Sequence, residues 1–98
     1  MIGVFVTFRY ETDFNPAKLQ QIAEGARGLF AGMAGLRSKA FTIDVEQRSA
    51  VNFYVWDSEE TAKAFFGPQL LERVTGLYGV RPTIRFVSIA ALVENQPG

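Results

Sequence analysis

Strand-like and helix-like stretches follow one another along the chain in the order β-α-β-β-α-β, which predicts an α+β fold: a four-stranded antiparallel sheet with two helices on one face. Three observations carry that expectation. Four runs rich in Val, Ile, Phe, Thr and Tyr are bounded by turn residues. Two stretches repeat apolar residues at helical spacing. The 98 residues are 48% hydrophobic and 20% charged, the composition of one globular domain spanning 1–98 and not of a disordered chain.

The first strand runs from Ile2 to Tyr10. Ile2, Val4, Val6, Phe8 and Tyr10 alternate with Gly3, Phe5, Thr7 and Arg9. Both faces are substantially apolar, so both should be covered. Asn15-Pro16 is a helix start, an N-cap side chain followed by proline at the first helical position. Leu19, Ile22, Ala23, Ala26, Leu29, Phe30 and Met33 then recur at helical spacing. Gly25 and Gly28 lie inside this helix, where each costs about 1 kcal/mol against alanine. They either leave room for a ligand or let the helix approach the sheet. Gly32 and Gly35 end the helix.

Lys39 to Val45 and Ala50 to Trp56 read as two strands of a hairpin, joined by the polar turn Glu46-Gln47-Arg48-Ser49. Asp57 and Glu60 stand at capping-box spacing before a short helix through Ala62, Phe65 and Phe66. Gly67-Pro68 interrupts it, and Leu70, Leu71, Val74 and Leu77 continue on a further helical stretch. Thr83 to Val93 is the last strand, followed by a frayed tail from Asn95 to Gly98.

Ten Lys and Arg balance ten Asp and Glu, so the formal net charge is zero. Binding to nucleic acid or to an anionic membrane by bulk electrostatics is therefore not expected. Cysteine and histidine are both absent. That removes disulfides, thiolate nucleophiles, Cys/His zinc sites, the serine–histidine couple and proximal-histidine haem ligation. Proton chemistry must fall to Asp, Glu, Lys, Tyr, an amide, water or the substrate. No targeting segment or bilayer-length apolar run stands out, and a cytoplasmic location is the expectation.

Two helices can cover only one parity of the strands. Val51, Phe53 and Val55 occupy one face of the third strand, and Asn52, Tyr54 and Trp56 the other. The parity without helices would be a large apolar patch unless a second sheet covered it, so a homodimer through the helix-free face is expected.

The stretch Gly35-Leu36-Arg37-Ser38-Lys39 and the passage from Asn52-Phe53-Tyr54-Val55-Trp56 into Asp57-Ser58-Glu59-Glu60-Thr61-Ala62-Lys63-Ala64-Phe65 resemble a known group. They are similar to the dimeric α/β-barrel superfamily of antibiotic-biosynthesis monooxygenases, and within it most like the YdhR-type members. The resemblance implies a ferredoxin-like domain paired into a barrel. It also implies kinship with oxygenases that need no cofactor and convert phenolic or anthrone substrates into quinones. In those enzymes an Asn and a Trp four residues apart on the third strand line the pocket, and Asn52 and Trp56 have that spacing. The tyrosine those enzymes carry in the next helix has no counterpart between Glu59 and Ala64.

Asn52 is the leading catalytic candidate. An amide within an apolar strand costs free energy unless hydrogen-bonded, so it either holds a substrate oxygen or is satisfied by its neighbours. Arg85 is the second, as a strand guanidinium able to stabilise a phenolate; Arg9 shares that reading, and a place at a sheet edge or rim is the alternative for both. Tyr54 and Trp56 are substrate-binding candidates by stacking on a flat ring, or else core residues. Lys39 reads as a snorkelling or salt-bridged side chain. Asp44 and Glu46, near the turn, read as solvated charges, and Tyr78 sits where it could cap a pocket mouth. The same element order builds the RNA-recognition motif, but Ser49, Ala50 and Val51 stand where that motif needs basic, glycine and aromatic residues.

The expected function is a cofactor-independent monooxygenase acting on a small aromatic or quinol-type molecule, with no metal or other cofactor. The alternatives are a non-catalytic ligand-binding or stress-related dimer of the same shape, and a structural interaction module.

Overall fold

The computed structural model describes residues 1–95. The expected frayed tail falls almost wholly on residues 96–98, outside the described residues. The elements are β1 (Ile2–Arg9), α1 (Pro16–Phe30), β2 (Leu36–Asp44), β3 (Ser49–Trp56), α2 (Glu59–Phe65), α3 (Pro68–Tyr78) and β4 (Thr83–Ser88). The strands form one antiparallel sheet in the order β2-β3-β1-β4. This is the ferredoxin-like α+β arrangement, with its second helical stretch divided in two.

Local chemistry explains the element ends. Asn15 caps α1, accepting a hydrogen bond from Lys18 N at 3.1 Å, and Pro16 opens the first turn. The cap of α2 is Ser58, whose Oγ accepts from Thr61 N; the expected pair Asp57 and Glu60 does not make it. Asp57 is instead the first residue beyond β3, and its N donates to Gly35 O at 2.9 Å. Proline at the first position starts α3, and Gly79, with φ 82°, ends it in the left-handed conformation that glycine adopts at least cost. The last strand stops at Ser88, five residues short of the expected Val93.

Register assigns the faces. In β1 opposite β3, Val4 pairs with Tyr54, Val6 with Asn52 and Phe8 with Ala50. Cross-strand partners share a face. That face packs under the helices, where Val4, Phe8, Trp56 and Ala62 are fully or almost fully buried. Each large apolar side chain sealed there contributes roughly 1.5–3 kcal/mol by leaving water. Gly25 and Gly28 point to the exposed side of α1, with open space where a Cβ would stand, so neither expected use of these glycines is realised.

Gly35 is different. Its φ is 83°, and a Cβ there would run into the Thr61 side chain. Thr61 is itself held by the Ser58 cap. Gly35→Ala is therefore expected to destabilise the fold by about 1–3 kcal/mol, as urea denaturation would read. Among the described residues no helix is long and apolar enough to cross a membrane.

Candidate active site between the first helix and the second strand

A β-bulge governs what faces the helices from β2. Leu36 pairs with Trp56, but Ser38 already pairs with Val55, so β2 carries one extra residue at this point. Strict alternation from Leu36 would point Ser38, Ala40 and Thr42 toward the helices. The bulge exchanges the parity, and Lys39, Phe41 and Ile43 turn inward instead, opposite Tyr54, Asn52 and Ala50.

Above these residues α1 stands away from the sheet and leaves an open cleft of about 680 Å³. Asn52, Ala50 and Phe41 lie on its floor, Lys39 and Phe30 at one side, and Tyr78 behind. Glu24 and Arg27 stand at its outer rim, 3.9 Å apart and both exposed. The volume suits a ligand of two or three fused rings.

Asn52 is only 4% exposed. Its Nδ2 donates to Tyr78 Oη at 3.1 Å. That hydroxyl accepts from the amide, which leaves its own O–H available as a donor. Tyr78 is fixed in turn. Its ring stacks on Phe8 with centroids 3.7 Å apart and planes within 6°, and its backbone carbonyl accepts from Tyr10 Oη at 2.6 Å. Burial pushes the Tyr78 phenol above its ordinary pKa, although the Asn52 hydrogen bond pulls the other way, so it stays protonated at neutral pH. Tyr54 is raised further by burial.

Lys39 is the least expected member. Its Nζ lies 3.4 Å from the Phe30 ring centroid, 4.1 Å from Phe41 and 4.4 Å from Tyr54. No carboxylate among the described residues comes within ion-pairing distance. Burial lowers its pKa from 10.5 to about 7. The unfolded chain thus keeps this proton up to pH 10.5, while the folded chain releases it near pH 7. Stability is expected to rise with pH through that interval. No histidine or cysteine titrates there. Melting temperatures measured from pH 7 to about 9 should climb in the wild type and climb less in Lys39→Met.

The structure divides the residues singled out in the sequence. Asn52, Tyr54 and Trp56 share the helix-side face, but only Asn52 reaches the cleft. Trp56 is 1% exposed and packs on Phe65, with centroids 5.0 Å apart. Tyr54 meets Phe66 edge-on at 4.9 Å and offers its ring to Lys39. Both are core residues, and the cleft lies to their side. Arg85 pairs with Phe5 in the sheet, so it belongs to the opposite face, with its guanidinium carbon 5.2 Å from the Phe5 ring. It cannot join Asn52 because the sheet separates them. Arg9 is on that opposite face too. Asp44 serves the turn, where its Oδ1 accepts from Gln47 N. Tyr78 and Lys39 are the partners that sequence reasoning undervalued. The glycine-rich surroundings of Tyr78 conceal its depth, and nothing in strict period two announces the bulge that turns Lys39 inward.

No protein-family model matches the chain, and no curated protein does. Solved structures do. A monooxygenase from the gene ActVA-Orf6 of Streptomyces coelicolor, in complex with the ligand nanaomycin D, is similar at a TM-score of 0.68 and 20% identity, over 97% of this chain and 92% of that one. SnoaB, a cofactor-independent oxygenase from Streptomyces nogalater, is similar at 0.66 and 15% identity, over 96% and 97%. The NE2512 protein of unknown function from Nitrosomonas europaea is similar at 0.67 and 14% identity, over 98% and 95%. At these identities the likeness is one of fold, which this chain shares with a monooxygenase and a cofactor-independent oxygenase.

Proposed function

We propose that the protein is a cofactor-independent monooxygenase acting on a small aromatic or quinol-type compound. The observation that carries the reading is Asn52: a nearly buried amide, at the floor of a cleft that Phe30 and Phe41 help to line, and hydrogen-bonded to a phenol that retains its proton. The Asn52 amide and the Tyr78 hydroxyl would hold a substrate carbonyl as it becomes an enolate, donating more strongly as charge develops. The electron-rich ring carbon then reacts with oxygen. For an anthrone-type methylene, two C–H bonds are lost, one oxygen atom becomes the new carbonyl and the other leaves as water. The substrate supplies all four electrons. Nothing in that balance calls for a metal or flavin, which accords with a chain that has neither histidine nor cysteine. The kinship in fold with a cofactor-independent oxygenase supports the same reading.

An oxygen electrode tests it, with anthrone as the probe. Oxygen consumption that scales with enzyme and yields the quinone supports the proposal. Binding without consumption would leave a ligand-binding protein.

We also propose that a second copy covers the helix-free face. Phe5 and Phe53 meet there with centroids 4.7 Å apart, next to half-buried Val51 and Val87. Arg9 and Arg85 lie toward one side of that face and Asp44 toward the other, which suits pairing with itself, and zero net charge opposes it little. Light scattering should give twice the mass of one chain, and Val51→Arg should reduce it to one.

A further inference from the structure

We propose that Lys39 is the proton acceptor of the cleft, taking the hydroxyl proton of a bound phenol or the enolisable proton of a bound anthrone. Only the substrate class rests on the function proposed above; the proton transfer itself needs no oxygen. In a phenol the O–H bond breaks, its electron pair stays on oxygen, and an N–H bond forms on Nζ. An ammonium–phenolate pair remains, and no co-reactant is consumed.

Three features of the structure carry this. The first is position: the bulge after Leu36 turns Lys39 into the same cleft as Asn52 and Tyr78. The second is the absence of a competitor. No carboxylate among the described residues comes within 4 Å of Nζ, so no fixed anion holds the proton before substrate arrives. The third is the aromatic surround. Phe30, Phe41 and Tyr54 strip water from the amine, which favours its neutral form, while their ring faces stabilise the ammonium once it forms. A base that is neutral at rest and tolerated as a cation afterwards is what the transfer requires.

The other groups around the cleft do not compete for this role. From α1, Glu24 is shared between Arg27 and Gln20 at the exposed rim. From β2, Arg37 turns to Asp57 and to the sulfur of Met1. From β3 and α3, Tyr54 and Tyr78 are held protonated by burial. Asn52 does not titrate. Phe65, the α2 residue packed on Phe30 and Tyr54, carries no charge.

The test uses 2-naphthol without oxygen, because its ionised form has its own absorption band. At about pH 8 Lys39 is neutral in the free protein, so the wild type should show the naphtholate band and release no proton to an indicator in weak buffer. At about pH 6 Lys39 already carries its proton, so the same band should come with one proton released per naphthol. Lys39→Met should lose the band. Lys39→Arg, which keeps the charge but cannot accept a proton, should release one proton at both pH values. A wild type with no naphtholate band, or one that releases a proton equally at pH 8 and pH 6, overturns the assignment without reference to either variant. If these results hold but anthrone consumes no oxygen, the base stands and the oxygenase reading fails.

Discussion

Asn52→Ala is expected to lower kcat/KM for an oxidisable quinol or anthrone by about 10²-fold, the usual cost of removing one donor from a developing oxyanion. The side chain has two tasks that alanine abandons. Its amide faces the cleft, and its Nδ2 sets the Tyr78 hydroxyl by a 3.1 Å hydrogen bond. Without that donor the phenol is free to point its proton away from the substrate. Asn52→Asp should do no better, because it puts negative charge where the substrate oxygen becomes negative. The loss should fall on kcat more than on KM, since the interaction strengthens as charge develops. Stopped-flow or oxygen-electrode kinetics on variants with wild-type circular dichroism would measure this. An unchanged rate on a turned-over substrate would reject the role.

The largest effect on stability is expected from Trp56→Ala, at about 3–5 kcal/mol. Trp56 is 1% exposed and touches Tyr54, Phe65 and Phe66, so it joins β3 to α2. Truncation would leave a void that three stiff rings cannot refill. A domain of this size gains its whole stability from roughly 5–15 kcal/mol, and each kcal/mol shifts its melting point by about 4–8 °C. A fall of at least roughly 12 °C follows. Trp56→Phe should cost much less. The indole Nε1 is buried with no hydrogen-bond partner among the described residues, and removing such an orphan returns about 1–3 kcal/mol of what the smaller ring forfeits. Thermal unfolding of both variants separates this core role from ligand stacking. A ligand-stacking Trp56 would instead weaken substrate binding and leave the melting point almost where it was.

The fold was legible because its signals are local and agree with one another. Asn15-Pro16 begins a helix where it says it should, and the alternation in Ile2 to Tyr10 and Ala50 to Trp56 divides the sheet faces correctly. The resemblance seen between Gly35 and Phe65 points to the same fold as the solved structures. Its finer branch, the YdhR-type members, is not something that shared architecture can distinguish. The site was legible only in part. Parity puts Asn52, Tyr54 and Trp56 on one face but says nothing of where along the strand the helices cover them. The α2 aromatics fill the Trp56 end, and the cleft opens only at the Asn52 end, where α1 stands off. Arg85 was misjudged because the offset between β1 and β4 is a long-range property. One residue of register decides which side of a sheet an arginine occupies. Lys39 was hidden by a bulge, and Tyr78 by the distance of 26 residues across which Asn52 reaches it.

The central claim is that the cleft between α1 and β2 receives a flat hydroxylated ring on Asn52. A crystal structure of the protein soaked anaerobically with 1,4-naphthohydroquinone tests that most directly. The expected result is a ring lying in the cleft beside Phe41, with one oxygen at about 2.7–3.2 Å from Asn52 Nδ2 or Tyr78 Oη. A ring seated instead on the Phe5 and Arg85 face, or a cleft closed by Phe30 and Phe41 with no room for it, would contradict the account.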